Sequence, residues 1–201
     1  MNITLIREAD ARTSVWSGGV SKEYYLYPPT ASYQGRDFSC RISVAQATSD
    51  EEAPYTNLPG ITRHLIMLEG VAHVLHQGRY DLIMHPYREI DVFDGGWPSS
   101  GQGKVTDLNL MVGAGHHGKM TVVDKDGLLP VAPLCETCWK PYSHTALFNG
   151  SGNPSLVLST GEVLRLSPGD LVMVEQGEPG GTAEVTLNGA KLIRMDVCCT
   201  Q

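Results

Sequence analysis

Residues 38–70 read FSCRISVAQATSDEEAPYTNLPGITRHLIMLEG. The segment contains two strands joined by a polar, acidic loop. From Phe38 to Ala47, Phe38, Cys40, Ile42 and Val44 share one face. Ser39, Arg41, Ser43, Ala45 and Ala47 share the other, and this period of two predicts a half-buried β-strand. The second strand is predicted from Thr62 to Gly70, with Arg63, Leu65 and Met67 on one face and His64, Ile66 and Leu68 on the other. Both faces turn apolar after the first pair, so this strand should be covered on both sides. An arginine and a histidine thus stand at the mouth of a buried strand. The guanidinium keeps its charge there and requires an anionic or carbonyl partner. Pro59-Gly60 favours a type II turn with Gly60 at positive φ, which delivers the chain into the strand at fixed geometry.

The same alternation recurs along the chain. Short strands are predicted at Met1–Ile6, Glu23–Tyr27, Gly70–His76, Tyr80–His85, Ile90–Phe93 and Val105–Val112. After Gly113–Gly118 they continue at Met120–Asp124, Thr145–Phe148, Ser155–Leu158, Glu162–Leu166, Leu171–Glu175, Thr182–Leu187 and Lys191–Val197. No helix longer than about two turns is predicted. Pro98–Gly103 reads as a flexible loop, and Gly127–Tyr142 as irregular. Short strands at this spacing mean a sandwich or a barrel. The glycine-rich segment 113–118 marks the expected boundary between an N-terminal half, 1–115, and a C-terminal half, 116–201.

Composition narrows the function classes. The 201 residues are 41% hydrophobic and 18% charged, as in an ordinary globular protein. Twenty-two glycines and 12 prolines suit an all-β chain with many turns. The net charge of -7 comes with no basic stripe, which argues against a nucleic-acid partner. No apolar run is long enough for a membrane span, and the first residues lack the apolar core of a secretory signal. Five cysteines do not make an even disulfide framework, so the expected setting is cytoplasmic with reduced thiols.

Arg41, Ser43 and Arg63, with Asp107 and Asn109, are the candidate ligand-binding set. A guanidinium, a hydroxyl and an amide at a concave β mouth would hold a small carboxylate, with arginine offering a two-pronged contact. The competing reading is an internal salt bridge from Arg63 or Arg41 to Asp107 that only fixes strand register; the two are compatible. Histidines 64, 73, 76 and 85 are spread over neighbouring strands, and His73 and His76 lie on opposite faces, so no metal site is expected from them. Cys135-Glu136-Thr137-Cys138 has the spacing of half a zinc site or a redox pair. Its other half would have to come from Cys198-Cys199 or His144, and ordinary loop cysteines are the expectation. Neither a metal nor another cofactor is predicted.

Several blocks together resemble the HutD/Ves family: Trp16-Ser17-Gly18-Gly19, Phe38 to Ala45, Leu58-Pro59-Gly60-Ile61-Thr62-Arg63, Phe93-Asp94-Gly95 and Asp107 to Met111. Their order and separation agree across roughly the first 115 residues. The resemblance implies an all-β bicupin with two cupin-like halves in one chain. It also implies a binding protein without established catalysis, linked to histidine utilisation or stress and regulatory in role, taking an intermediate such as formylglutamate or urocanate. The expected guest is therefore a small anionic metabolite, held by Arg63, with Arg41, Ser43, Asp107 and Asn109 orienting it or Arg63, and Trp16 walling the pocket. Neither nucleic acid nor a membrane is expected as a partner, and a homodimer is left open. Two alternatives stand beside this reading. One is a metal-independent isomerase or hydrolase using His64 and Asp107 as acid and base; the other is a protein-interaction module with a vestigial pocket.

Overall fold

The computed structural model describes residues 2–175 and 181–198. The chain opens with β1 (Asn2–Ile6) and one turn of 3-10 helix at Glu8–Asp10. There follow β2 (Arg12–Trp16), β3 (Gly19–Tyr27), β4 (Cys40–Ala47), β5 (Ala53–Pro54), β6 (Thr62–Glu69), β7 (Ala72–His76), β8 (Tyr80–Met84), β9 (Ile90–Asp94), β10 (Ser99–Gln102) and β11 (Thr106–Val112). The remainder is β12 (His117–Val123), β13 (Gly127–Pro130), β14 (His144–Ser151), β15 (Ser155–Leu158), β16 (Val163–Arg165), β17 (Leu171–Glu175), β18 (Thr182–Thr186) and β19 (Lys191–Cys198). Among the described residues, no helix is long and apolar enough to cross a membrane.

The chain forms two compact units. One is Ala11–Ala114; the other joins the first ten residues to the chain from Gly115 onward. The first strand was expected in the N-terminal half. Instead β1 pairs antiparallel with β17, Asn2 opposite Glu175 and Ile6 opposite Leu171. Alternation within five residues cannot say which distant edge a strand joins.

The 11–114 unit packs a six-stranded sheet, order β2-β3-β4-β11-β6-β9, against a four-stranded one, order β5-β10-β7-β8. Leu65, Met67 and Phe93 from the first sheet meet Ala72, Val74 and Met84 from the second to form the core between them. The second unit repeats the plan with sheets ordered β1-β17-β14-β19-β12 and β13-β18-β15-β16. Leu147, Val172, Val174 and Leu192 there pack on Leu156, Leu158, Ala183 and Val185. Burying these inward faces is the main favourable term in each unit.

Strand β6 is buried from Arg63 to Leu68, as its two apolar faces predict. Gly60 takes φ 78° and Ile61 N–H donates to Leu58 O at 3.2 Å, closing the Pro-Gly turn. Two expectations fail. Residues 99–102 are not a loop: β10 pairs with β7 and with β5. Its sequence, Ser-Ser-Gly-Gln, has no apolar alternation, so only its partners make it a strand. The segment expected to be irregular begins with β13, which pairs with β18.

Strand β3 carries a bulge. Opposite β4, Glu23 faces Ser43, yet Tyr25 faces Ile42, so Tyr24 is the extra residue. The shift puts Glu23 and Leu26 on the inward side although they are an odd number of positions apart.

Candidate functional site

Three adjacent strands set the site. β11 lies between β4 and β6, and its register aligns inward-facing side chains in rows. One row is Arg41, Met111, Arg63; the next is Ser43, Asn109, Leu65; the third is Ala45, Asp107, Met67. All six candidate residues, Arg63, Arg41, Ser43, Asp107, Asn109 and Trp16, line one cavity of about 300 Å³ within the 11–114 unit. That volume is at the lower end of small-molecule pockets.

The two arginines differ in their surroundings. Arg41 is tied down by its neighbours. Its Nε donates to Glu23 Oε2 at 2.7 Å, one terminal nitrogen donates to Ser43 Oγ at 2.7 Å, and its guanidinium lies 4.3 Å from the Tyr33 ring centre. The carboxylate partner is Glu23, not the Asp107 considered from sequence. Arg63 is 7% exposed and lies against two aromatic rings that stack on each other, 4.9 Å from the centre of Tyr55 and 5.1 Å from that of Phe93. Among the described residues no carboxylate lies within salt-bridge distance of it, and its buried Nε has no hydrogen-bond partner. The register explains this. Asp107 stands two rows away along β11, with Asn109 and Leu65 between. Four residues of strand span roughly 13 Å.

Burial sets the electrostatics. It lowers the Arg63 pKa, opposed mainly by Tyr55 and Asp107, yet a guanidinium remains charged at neutral pH. Burial raises Asp107 to about 7, with Arg63 pulling the other way. Burial also raises the Tyr55 hydroxyl, helped by the Asp107 charge. Burial therefore favours the protonated form of Asp107. Its folded pKa lies above the unfolded one, so its contribution to stability is full below about pH 4 and is lost as pH rises through about 7. Asp107→Asn should match the wild type at pH 4 and exceed it at pH 8. The raw shift corresponds to about 4 kcal/mol, and access from the cavity reduces the expected gain to on the order of 2 kcal/mol. Urea unfolding at the two pH values measures it; equal stability at both would place Asp107 in a wetter site than described.

Other lining residues carried little signal in the sequence. Tyr33 and Tyr55 lie in segments that read as turn and loop, and only the fold lays their rings on the guanidinium groups. Gly101 matters because a Cβ there would run into the Tyr55 ring, and Gly18 because the Trp16 ring lies over it. The acid–base pair considered from sequence does not assemble. His64 pairs in register with Leu110, on the face of β6 opposite Arg63, and does not line the cavity. A different chain of groups exists: Ser99 Oγ to His76 Nδ1 at 2.7 Å, and His76 Nε2 to Asp91 Oδ2 at 2.8 Å. His76 is fully buried with its ring packed on Phe93, and none of the three lines the cavity. It ties β7, β9 and β10 together.

A family model described as HutD matches residues 8–193. The chain belongs to the HutD family. The fold agrees with solved HutD-like and cupin structures. HutD from Pseudomonas fluorescens SBW25, in a structure described as its formate condition, is 17% identical, with TM-score 0.79 and 100% of both chains covered. A conserved protein of unknown function from Pseudomonas aeruginosa is also 17% identical, with TM-score 0.82 over 99% of this chain and 100% of that one. A cupin 2 conserved barrel domain protein from Leptotrichia buccalis is 11% identical, with TM-score 0.58 over 98% of this chain and 96% of that one. At such identities the likeness carries the fold: an all-β bicupin. Comparison with curated proteins gave no match.

Proposed function

We propose that this HutD-family chain binds a small carboxylate in the 11–114 cavity, of the formylglutamate or urocanate kind, and acts in regulation linked to histidine utilisation or stress. One observation carries the reading: a buried guanidinium lines the cavity, and among the described residues no carboxylate lies within salt-bridge distance of it. An isolated buried cation is costly, and a guest carboxylate offsets that cost with charge-assisted hydrogen bonds. Arg63 is the anion contact. Asn109, whose buried Oδ1 also lacks a partner, accepts from a donor on the guest. Arg41 and Ser43 hold each other and shape the floor, and Tyr55 and Trp16 form apolar walls. The formate condition of the Pseudomonas fluorescens HutD structure supports a carboxylate as the class to test.

Calorimetric titration of the native chain with formylglutamate, urocanate and formate tests this. At least one should bind, and its affinity should rise as pH falls from 8 to 6, because protonated Asp107 no longer repels the guest's charge. No heat with any of the three at millimolar concentration refutes the proposal.

A further inference from the structure

We propose that Cys135, Cys138 and Cys198 form a three-thiolate zinc site in the unit that follows Gly115. Their Sγ atoms all lie within 4.8 Å of one another. They are the one set of three or more metal-ligating side chains that converges among the described residues. Cys135 and Cys198 are buried and Cys138 is half-buried, giving an ion one open approach.

The loop is built to present the first two thiols. Leu134 bridges Pro141, Tyr142 N–H donates to Pro133 O at 2.8 Å, and Cys135 N–H donates to Lys140 O at 2.8 Å. Within that clamp Trp139 N–H donates to Cys135 O at 2.9 Å, and Trp139 takes φ 57°. The resulting tight turn brings two cysteines three positions apart to the same point. Cys198 arrives from the end of β19, with its Sγ 2.9 Å from that of Cys138. Thiolates about 2.3 Å from a zinc ion stand roughly 3.8 Å apart. The pair therefore widens by about 0.9 Å on metal binding, within reach of a rotation at half-buried Cys138.

The Cys135 sulfur faces the backbone N–H groups of Thr137 and Cys138 and the Tyr142 hydroxyl. Donors around a metal-bound sulfur are the usual outer support of such sites. Three soft sulfurs select zinc over harder divalent ions, and each binding event displaces thiol protons to solvent. The fourth position of the tetrahedron remains for water or another donor.

The test uses the full chain, reduced, chelator-stripped and kept without oxygen. One equivalent of Zn²⁺ should bind per chain and protect Cys135, Cys138 and Cys198 together from alkylation, read peptide by peptide by mass spectrometry, while Cys40 is unaffected. Cys138→Ser changes the least buried of the three and should weaken Zn²⁺ binding by at least about a hundredfold, beyond the usual loss from removing an outer-shell partner. The proposal is overturned if the three thiols stay unprotected or if Cys138→Ser binds Zn²⁺ as tightly as the native chain.

Discussion

Arg63→Met should lose carboxylate binding and yet be the more stable protein in ligand-free buffer. Removing a two-pronged charge-assisted contact costs on the order of 2–3 kcal/mol, about a 30- to 150-fold fall in affinity. Without ligand the balance reverses. The wild type holds a 7% exposed guanidinium with no carboxylate in salt-bridge reach among the described residues, and an uncompensated buried charge costs several kcal/mol. Cation–π contacts with Tyr55 and Phe93 return about 0.5–2 kcal/mol each. Desolvation wins by a small margin, so methionine, similar in length and apolar, should gain about 1–2 kcal/mol. Saturating ligand should invert the order, because a guest at a hundred times its dissociation constant adds about 2.7 kcal/mol to the wild type alone. Thermal unfolding with and without ligand reads both signs. A variant less stable than the wild type in plain buffer would make Arg63 a structural residue.

Glu23→Ala should be the most damaging of the conservative truncations near the cavity. Glu23 neutralises Arg41 at 2.7 Å, and their side chains are 18% and 8% exposed. Removing the acid strands a buried cation, a loss of about 3–5 kcal/mol. Arg41→Met removes the charge itself and should cost far less, and the double variant should recover most of what Glu23→Ala loses. Urea unfolding of the three variants gives the coupling energy. Additive losses would mean that the pair is solvated and unimportant.

These contrasts show what the sequence could and could not disclose. Arg41, Ser43, Asp107 and Asn109 were legible as sharing the polar faces of alternating strands, where a period of two assigns faces without knowledge of the partner, and Arg63 as standing at the mouth of a strand apolar on both sides. Their neighbours in space were not legible. Whether Asp107 reaches Arg63 depends on how β11 aligns with β6, and sequence periodicity leaves register open. Glu23 was invisible as the partner of Arg41 for the same reason, made worse by the bulge at Tyr24. Strand β10 has no pattern of its own, and β1 joins an edge formed by residues far along the chain. The cysteine turn was legible as half a site. Its third member, Cys198, lies 60 residues beyond Cys138 and arrives only through tertiary packing.

The extra residue in β3 has a consequence for length changes in this part of the chain. Upstream of Tyr24 the strand counts its inward positions on one parity, through Ser21 and Glu23; downstream it counts on the other, through Leu26. Deleting Tyr24 would leave Glu23, Tyr25 and Leu26 opposite Ser43, Ile42 and Arg41 in unbroken register, so the acid would stay beside Arg41 and Leu26 against Phe38 and Met111. The cost of that deletion would be the buried Tyr24 ring rather than the phase of the strand, whereas a further insertion at the same place would enlarge the bulge.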